Sequence, residues 1–325
     1  MPSASRLLIS RNNEMAAAPH EPVLYHEIIH ALQPASPGFY VDGTVGAGGH
    51  ARGILDACAP EGRLLGLDVD PQALALAREN LAPHGRRALL MQRSYITLND
   101  ALMEAQWSVI NGILLDLGAS SMQFDTPERG FSFRDDGPLD MRFDPTRPQS
   151  AADLVNTFNE ADLADIIYRY GEERASRRIA RAIIRARPIH TTSGLASVIE
   201  SVIPRRGKRV HPATRTFQAL RIAVNDELGA IESVLPQAIN ALSPGGRLAI
   251  ISFHSLEDRL VKQYFRHESR DCICPPKQPI CTCDHRASIK EITRKPIRPG
   301  EDETAKNPRA RSARLRVAEK LPTQK

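Results

Sequence analysis

The sequence predicts an α/β fold, a doubly wound and mostly parallel sheet carrying an inserted all-helical subdomain. Three observations predict it. Four short, continuous apolar runs end in polar residues, at 38–42, 63–68, 112–116 and 247–252, the pattern of parallel strands buried on both faces. Helical stretches lie between them, at 51–58, 71–81 and 216–242, and strand alternating with helix argues a parallel sheet. The alternation stops between the third and fourth runs, where 151–203 reads as successive helices with no strand signal.

Residues 1–19 lack a secretory apolar core and hold Arg6, Arg11 and a second methionine, Met15. They are expected to be a loose tail, or translation begins at Met15. The first strand, 38–42, runs directly into Asp42-Gly43-Thr44-Val45-Gly46-Ala47-Gly48-Gly49-His50, which opens a helix. Glycine permits tight turns and close approach of backbone to a ligand. The second strand ends in Asp68, nineteen residues after Gly49. An acid at that spacing can accept both ribose hydroxyls of a nucleoside-bearing cofactor.

NAD and S-adenosylmethionine both satisfy this pattern. The loop, with glycines at 43, 46, 48 and 49, lacks the G-x-G-x-x-G spacing of dinucleotide binders. The third strand ends in Leu115-Asp116-Leu117-Gly118, which puts a carboxylate at the ligand edge, and Leu242-Ser243-Pro244-Gly245-Gly246-Arg247-Leu248 resembles the turn before the fifth strand of many class I methyltransferases. These features favour the methyl donor.

Residues 123–147, rich in Gly, Pro, Asp and Phe, read as a structured loop. Phe124, Phe131 and Phe133 either stack on a base or pack the loop onto the sheet. Arg174, Arg178, Arg181 and Arg185 are spaced to share one helix face. From Arg174 to Arg221 there are 12 basic residues against one acidic residue, Glu200, which points to a polyanionic partner rather than a merely solvated face. Arg205, Arg206, Lys208 and Arg209 extend this charge.

After Asp271 the chain turns Cys- and Pro-rich, then basic, which disfavours long regular structure there. Cys272-x-Cys274 and Cys281-x-Cys283 could close a zinc site. Their spacing is not the usual C-x-x-C, so an unmetallated loop is the expectation. Five cysteines in a chain of 325 residues do not make a disulfide framework, and reduced cytoplasm is the expected compartment. No apolar run approaches the roughly 20 residues of a membrane helix.

The sequence resembles the bacterial 16S ribosomal RNA (cytosine-N4) methyltransferase family, RsmH or MraW. The matching stretches include His20-Glu21-Pro22-Val23-Leu24, the 42–50 loop, Glu128-Arg129-Gly130-Phe131-Ser132-Phe133 and Gly137-Pro138-Leu139-Asp140-Met141-Arg142. His211-Pro212-Ala213-Thr214-Arg215-Thr216-Phe217-Gln218-Ala219-Leu220-Arg221, Ser252-Phe253-His254-Ser255-Leu256-Glu257-Asp258-Arg259 and Asn307-Pro308-Arg309-Ala310-Arg311 complete the set. The resemblance implies the class I, Rossmann-like, S-adenosylmethionine-dependent methyltransferase fold. It implies methylation of N4 of a cytidine, customary position 1402, in 16S rRNA of the small ribosomal subunit. It also implies cofactor contacts at Gly48, Gly49, His50, Asp68, Tyr95, Asp116 and Gln123, with Tyr95 where the family often has Phe.

Methyl transfer from a sulfonium is a direct displacement that asks the protein mainly for positioning. Asp116 is the leading acceptor for the amine protons, with Ser120, Ser121 and His254 as helpers. His254 is otherwise a capping residue. No cysteine lies near the strand tips, which disfavours a thiolate mechanism at pyrimidine C5. Arg178, Arg181, Arg206 and Lys208 are expected to meet rRNA phosphates. The expected layout is a tail at 1–19, a discontinuous methyltransferase domain at 20–125 and 208–316, a loop plus helical insertion for RNA at 126–207, and a C-terminal tail at 317–325. The competing functions are an NAD-dependent oxidoreductase and a non-catalytic ribosome-assembly factor on the same fold.

Overall fold

A computed structural model describes residues 22–203, 211–275, 278 and 280–322. The expected N-terminal tail, together with Arg205, Arg206, Lys208 and Arg209, lies outside the described residues.

Among the described residues the sheet has seven strands: β1 (Phe39–Asp42), β2 (Arg63–Asp68), β3 (Ala88–Gln92), β4 (Ile110–Asp116), β5 (Leu242–Ser252), β6 (Ile289–Glu291) and β7 (Arg314–Lys320). Their order is β3-β2-β1-β4-β5-β7-β6. β3, β2, β1, β4 and β5 are parallel, while β7 runs antiparallel between β5 and β6. This is the expected class I methyltransferase fold. The chain winds outward from β1 to β3, returns to β4 and continues the other way. The switch point therefore falls between β1 and β4, where ligands of open parallel sheets bind.

Helices α1 (Tyr25–Leu32), α2 (Gly49–Ala57), α3 (Pro71–Leu81) and α4 (Leu98–Ala105) flank the first four strands. The expected helix at 71–81 forms because Asp70 caps it, its carboxylate accepting from the Gln72 amide at 3.0 Å, with Pro71 at the first position. α5 (Ser121–Asp125) follows β4 and opens on a capping box of Ser120 and Gln123. The sheet's two faces bury separate apolar layers. One includes Leu65, Leu67, Ile113, Leu115, Leu248 and Ile250, and the other Leu64, Leu114, Ala249, Ile251 and Val317. Adjacent strand positions thus feed opposite layers, which is why the runs read as continuously apolar.

A third apolar core belongs to the insertion. It gathers α6 (Ala151–Thr157), α7 (Glu160–Gly171), α8 (Ser176–Ala186) and α9 (Thr192–Val202) around Leu154, Leu163, Ile167, Ile179, Ile183 and Ile199. Each such fully buried side chain contributes roughly 1.5–3 kcal/mol. α10 (Thr214–Asn225) gives Phe217, Leu220 and Val224 to this same core, so the helical unit extends past the expected boundary at 207.

Two further expectations are corrected. The stretch 216–242 is two helices, α10 and α11 (Glu227–Ala241), because Asp226 takes a left-handed conformation, φ 50°, and breaks the helix. The expected tail at 317–325 begins inside β7, which pairs with β5 from Arg247↔Glu319 to Ser252↔Arg314. Its side chains bury Leu315, Val317 and Ala318, and burial on both faces makes this a sheet strand. α12 (Ser255–Glu268) follows β5, and α13 (Glu301–Lys306) precedes β7.

Candidate active site

Three neighbouring strands, β2, β1 and β4, each end in an aspartate: Asp68, Asp42 and Asp116. The glycine loop knits them together. The Thr44 amide and hydroxyl donate to Asp42 Oδ1 at 3.1 and 3.4 Å, and the Asp116 amide donates to Thr44 Oγ1 at 2.6 Å. Asp68 accepts from the Gly46 amide on Oδ2 and the Asp70 amide on Oδ1, both at 2.9 Å. Each Asp68 oxygen keeps a lone pair beyond these bonds. Gly48 has φ +86°, a conformation that L side chains rarely adopt, and a Cβ on Gly49 would lie 2.4 Å from Pro22. Both positions therefore require glycine for the loop's own shape.

Burial raises all three carboxyls above the usual range. Asp42 is pushed to about 7, Asp68 is raised chiefly by burial, and Asp116 is raised well above its ordinary value by burial, then by Asp42 and Glu257. The Asp116 side chain is 26% exposed, yet its Oδ1 is buried without a hydrogen-bond partner among the described residues. Its Oδ2 lies 3.8 Å from His50 Nδ1. His50 Nε2 bonds the Val23 carbonyl at 2.9 Å, and burial lowers the ring to about 4, so the imidazole is neutral. A carbonyl only accepts, so the proton sits on Nε2 and Nδ1 offers a lone pair.

Gln123 is buried, and both ends of its amide are in use. Nε2 donates to Asp70 Oδ2 at 3.0 Å and Oε1 accepts from the Ser120 amide at 3.0 Å. Arg129 Nη1 reaches the same Asp70 Oδ2 at 2.6 Å, while its Nη2 bonds the Arg142 and Phe143 carbonyls at 2.9 and 3.0 Å. Asp70 and Arg129 thereby tie the loop after α5 to the sheet edge. Tyr95 lies half-buried against the sheet core, its hydroxyl pKa raised by burial and then by Glu227.

His254 is the N-cap of α12. Its Nδ1 accepts from the Glu257 amide at 3.4 Å, and Glu257 Oε2 accepts from the Phe253 and His254 amides at 2.8 and 3.2 Å. His254 Nε2 and Glu257 Oε1 approach to 3.1 Å, off line for a hydrogen bond, so the contact is electrostatic. No hydrogen bond or ion pair joins His254 to Asp116 among the described residues. Beside them Arg221 makes a two-pronged, buried pair with Glu227, Nε to Oε1 and Nη2 to Oε2 at 2.8 Å each.

The loop aromatics Phe124, Phe131 and Phe133 pack together with the helical core. Phe131 is buried and stacks on Phe143, ring centres 5.6 Å apart. Phe133 packs on His211 and Phe217. Both hold the loop to the helical core, not to the sheet as the packing alternative expected. Arg178 and Arg181 are exposed on α8. Arg181 Nε contacts Glu160 at 3.4 Å, so part of this basic face is already neutralised by α7. A cleft of about 370 Å³ runs between the helical unit and the ends of β5 and β7, lined by Arg215, His254, Arg298, Arg311 and Arg314, with Glu172. Its arginines come from α10, from the segment before β7 and from the first residue of β7.

A model of the MraW methylase family matches residues 17–321. The chain belongs to that family. It is 52% identical over 307 residues to a protein of Dehalococcoides mccartyi named ribosomal RNA small subunit methyltransferase H, covering 94% of this chain and 88% of that one. It is 53% identical to the protein of the same name in Geotalea uraniireducens, covering 93% and 98%. A MraW-family chain is a methyltransferase that draws its methyl group from S-adenosylmethionine, and the site suits that cofactor. The two spare lone pairs of Asp68 match the two donors of a ribose diol. The raised carboxyls and the unpartnered Asp116 Oδ1 favour a cationic ligand, whereas a dinucleotide would bring its anionic pyrophosphate to this loop. Asp42, Asp70, Arg129, Arg221, Glu227 and Glu257 were not singled out as site residues from sequence. Several lie in the stretches that carry the family resemblance, but only their partners in space reveal what they do.

Proposed function

We propose that this protein transfers a methyl group from S-adenosylmethionine to the exocyclic N4 of a cytidine in 16S rRNA of the small ribosomal subunit. The observation that carries the reading is the convergence of Asp42, Asp68 and Asp116 at the switch point, with one Asp116 oxygen buried and unpartnered among the described residues. The names of its relatives supply the small-subunit context, and action there accords with a cytoplasmic protein. No described helix is long and apolar enough to cross a membrane.

Bound S-adenosylmethionine supplies a methyl group on a cationic sulfur. Asp68 accepts from the ribose hydroxyls, and Tyr95 offers a flat face for the adenine. Gly48 and Gly49 let the backbone come close. Gln123 acts at one remove, by holding Asp70 and the turn after β4. His50 stays neutral and leaves Asp116 as the charged partner. A cation nearby favours the ionised form of Asp116, which then accepts a hydrogen bond from the cytosine amine. That bond would favour a pyramidal, nucleophilic nitrogen, and the carboxylate would take the proton that N4 loses on methylation. The target base must be unstacked at a cost of roughly a few kcal/mol. The arginine-lined cleft beside β5 suits the flanking phosphates, and the exposed Arg178 and Arg181 extend the contact.

The test is methylation of purified small subunits in vitro, with mass spectrometry of the digested rRNA. N4-methylcytidine at one site supports the reading. Methylation at a ring carbon, or of protein alone, refutes it.

A further inference from the structure

We propose that Cys272, Cys274, Cys281 and Cys283 form a structural zinc site that holds together the excursion between α12 and β6. The four sulfurs all lie within 4.8 Å of one another. Four of the separations are 3.5 Å for Cys272–Cys281, 4.0 Å for Cys274–Cys281, 3.6 Å for Cys281–Cys283 and 3.8 Å for Cys272–Cys283. A tetrahedron of thiolates around zinc, with bonds of about 2.3 Å, has edges of about 3.8 Å. A disulfide would need about 2.05 Å.

The local sequence accounts for the convergence. Residues two apart on an extended segment point to the same side, so each C-x-C delivers a pair of sulfurs to one face. Two such segments facing each other close a four-sulfur cage without the usual C-x-x-C turn. Backbone amides support it, Ile273 donating to Cys283 Sγ at 3.4 Å and Thr282 to Cys274 Sγ at 3.5 Å. Such donors stabilise metal-bound thiolates.

A second observation says why a metal is needed. None of the described residues between Phe265 and Ile289 is buried, and Ile273 and Ile280 face solvent. The excursion is pinned at its base, where the Ser288 amide donates to the Glu268 carbonyl at 2.9 Å. Beyond that its described residues supply no apolar core to hold it. A closed four-thiolate site supplies the missing cross-link and leaves no open position for chemistry. Binding releases the thiol protons to solvent and transfers no electrons.

The test uses the full-length protein, reduced, stripped of metal and titrated with zinc against a chromogenic chelator. One zinc per chain is expected, with loss of alkylation at all four cysteines; the buried Cys58 is the internal control. Cobalt in place of zinc should give the intense visible bands of a tetrahedral four-thiolate centre. Cys272→Ser/Cys281→Ser should lose the metal and keep S-adenosylmethionine affinity, and His267→Ala/His285→Ala should keep the metal, since those histidines belong to the neighbouring group with Glu268. Failure of the reduced protein to take up zinc, zinc retained by the cysteine double variant, or a chain isolated with two disulfides overturns the proposal. Should the double variant not fold, the cobalt spectrum of the unaltered protein decides, because histidine or carboxylate ligation lacks the sulfur charge-transfer bands.

Discussion

His50 Nδ1 faces Asp116 Oδ2 across 3.8 Å and presents a lone pair to it, because Nε2 is committed to the Val23 carbonyl. Neither group neutralises the other. Asp116 is thus the end of a buried strand whose carboxyl no described side chain helps to ionise, the usual signature of a group kept for a ligand.

Asp116→Asn should therefore separate binding from chemistry. Asparagine caps a turn about as well as aspartate, but it loses the charge and points donors where an acceptor is needed. Single-turnover methylation of small subunits at saturating cofactor should slow by orders of magnitude, with a modest loss of cofactor affinity. The melting temperature should hold or rise, since a costly buried carboxylate is gone. A rate within a few-fold of wild type would remove Asp116 from the mechanism.

Asp42 makes a prediction in pH. Its carboxyl rises from 3.8 unfolded to about 7 folded, so the native state holds a proton that the unfolded chain releases. The stability it contributes is complete below about pH 4 and is lost as pH rises through 7. Asp42→Asn keeps an oxygen for both Thr44 bonds, which fall on a single acceptor atom. Denaturant unfolding should show the variant matching wild type at pH 4 and gaining on it up to pH 8, by at most about 1.4 kcal/mol for each pH step of one. A parallel decline in both proteins would contradict the assignment.

Asp68→Ala removes the acceptor for two loop amides and for the ribose. Charge-assisted bonds of this kind are worth about 1.5–3 kcal/mol, so S-adenosylmethionine affinity by calorimetry should fall roughly 10- to 150-fold. Circular dichroism should show the sheet intact. Unchanged affinity would refute the ribose role.

The Arg221–Glu227 pair predicts strong coupling. Removing Arg221 alone strands a buried carboxylate and should cost about 3–5 kcal/mol, whereas replacing both partners with leucine should recover most of that. A double-mutant cycle by urea unfolding measures it. Additive losses would mean the pair is not a unit.

Reversing Arg178 and Arg181 to Glu should weaken binding to rRNA and flatten its salt dependence, by about 0.7–0.9 in the log–log slope for each phosphate that is no longer neutralised. Cofactor affinity should stay put. If instead the cofactor is lost and RNA affinity survives, α8 does not serve RNA.

The parallel sheet, the glycine loop and the aspartates at 68 and 116 were legible in the sequence, because strands buried on both faces are continuously apolar and their ends are marked by polar residues. α3 was legible down to its ends for a local reason, a proline at its first position. β3, β6 and β7 were not. β3 has no fully buried position and lies at the sheet edge, and β7 gains its identity from hydrogen bonds to β5, some 70 residues away in sequence. The division of 216–242 at Asp226 depends on one left-handed residue. Packing was needed to show that Arg221 serves Glu227, that His254 caps α12, that Gln123 holds Asp70, and that the four sulfurs of Cys272, Cys274, Cys281 and Cys283 meet. In each case the partner lies on another turn, strand or loop, and only packing brings the two within a few ångströms.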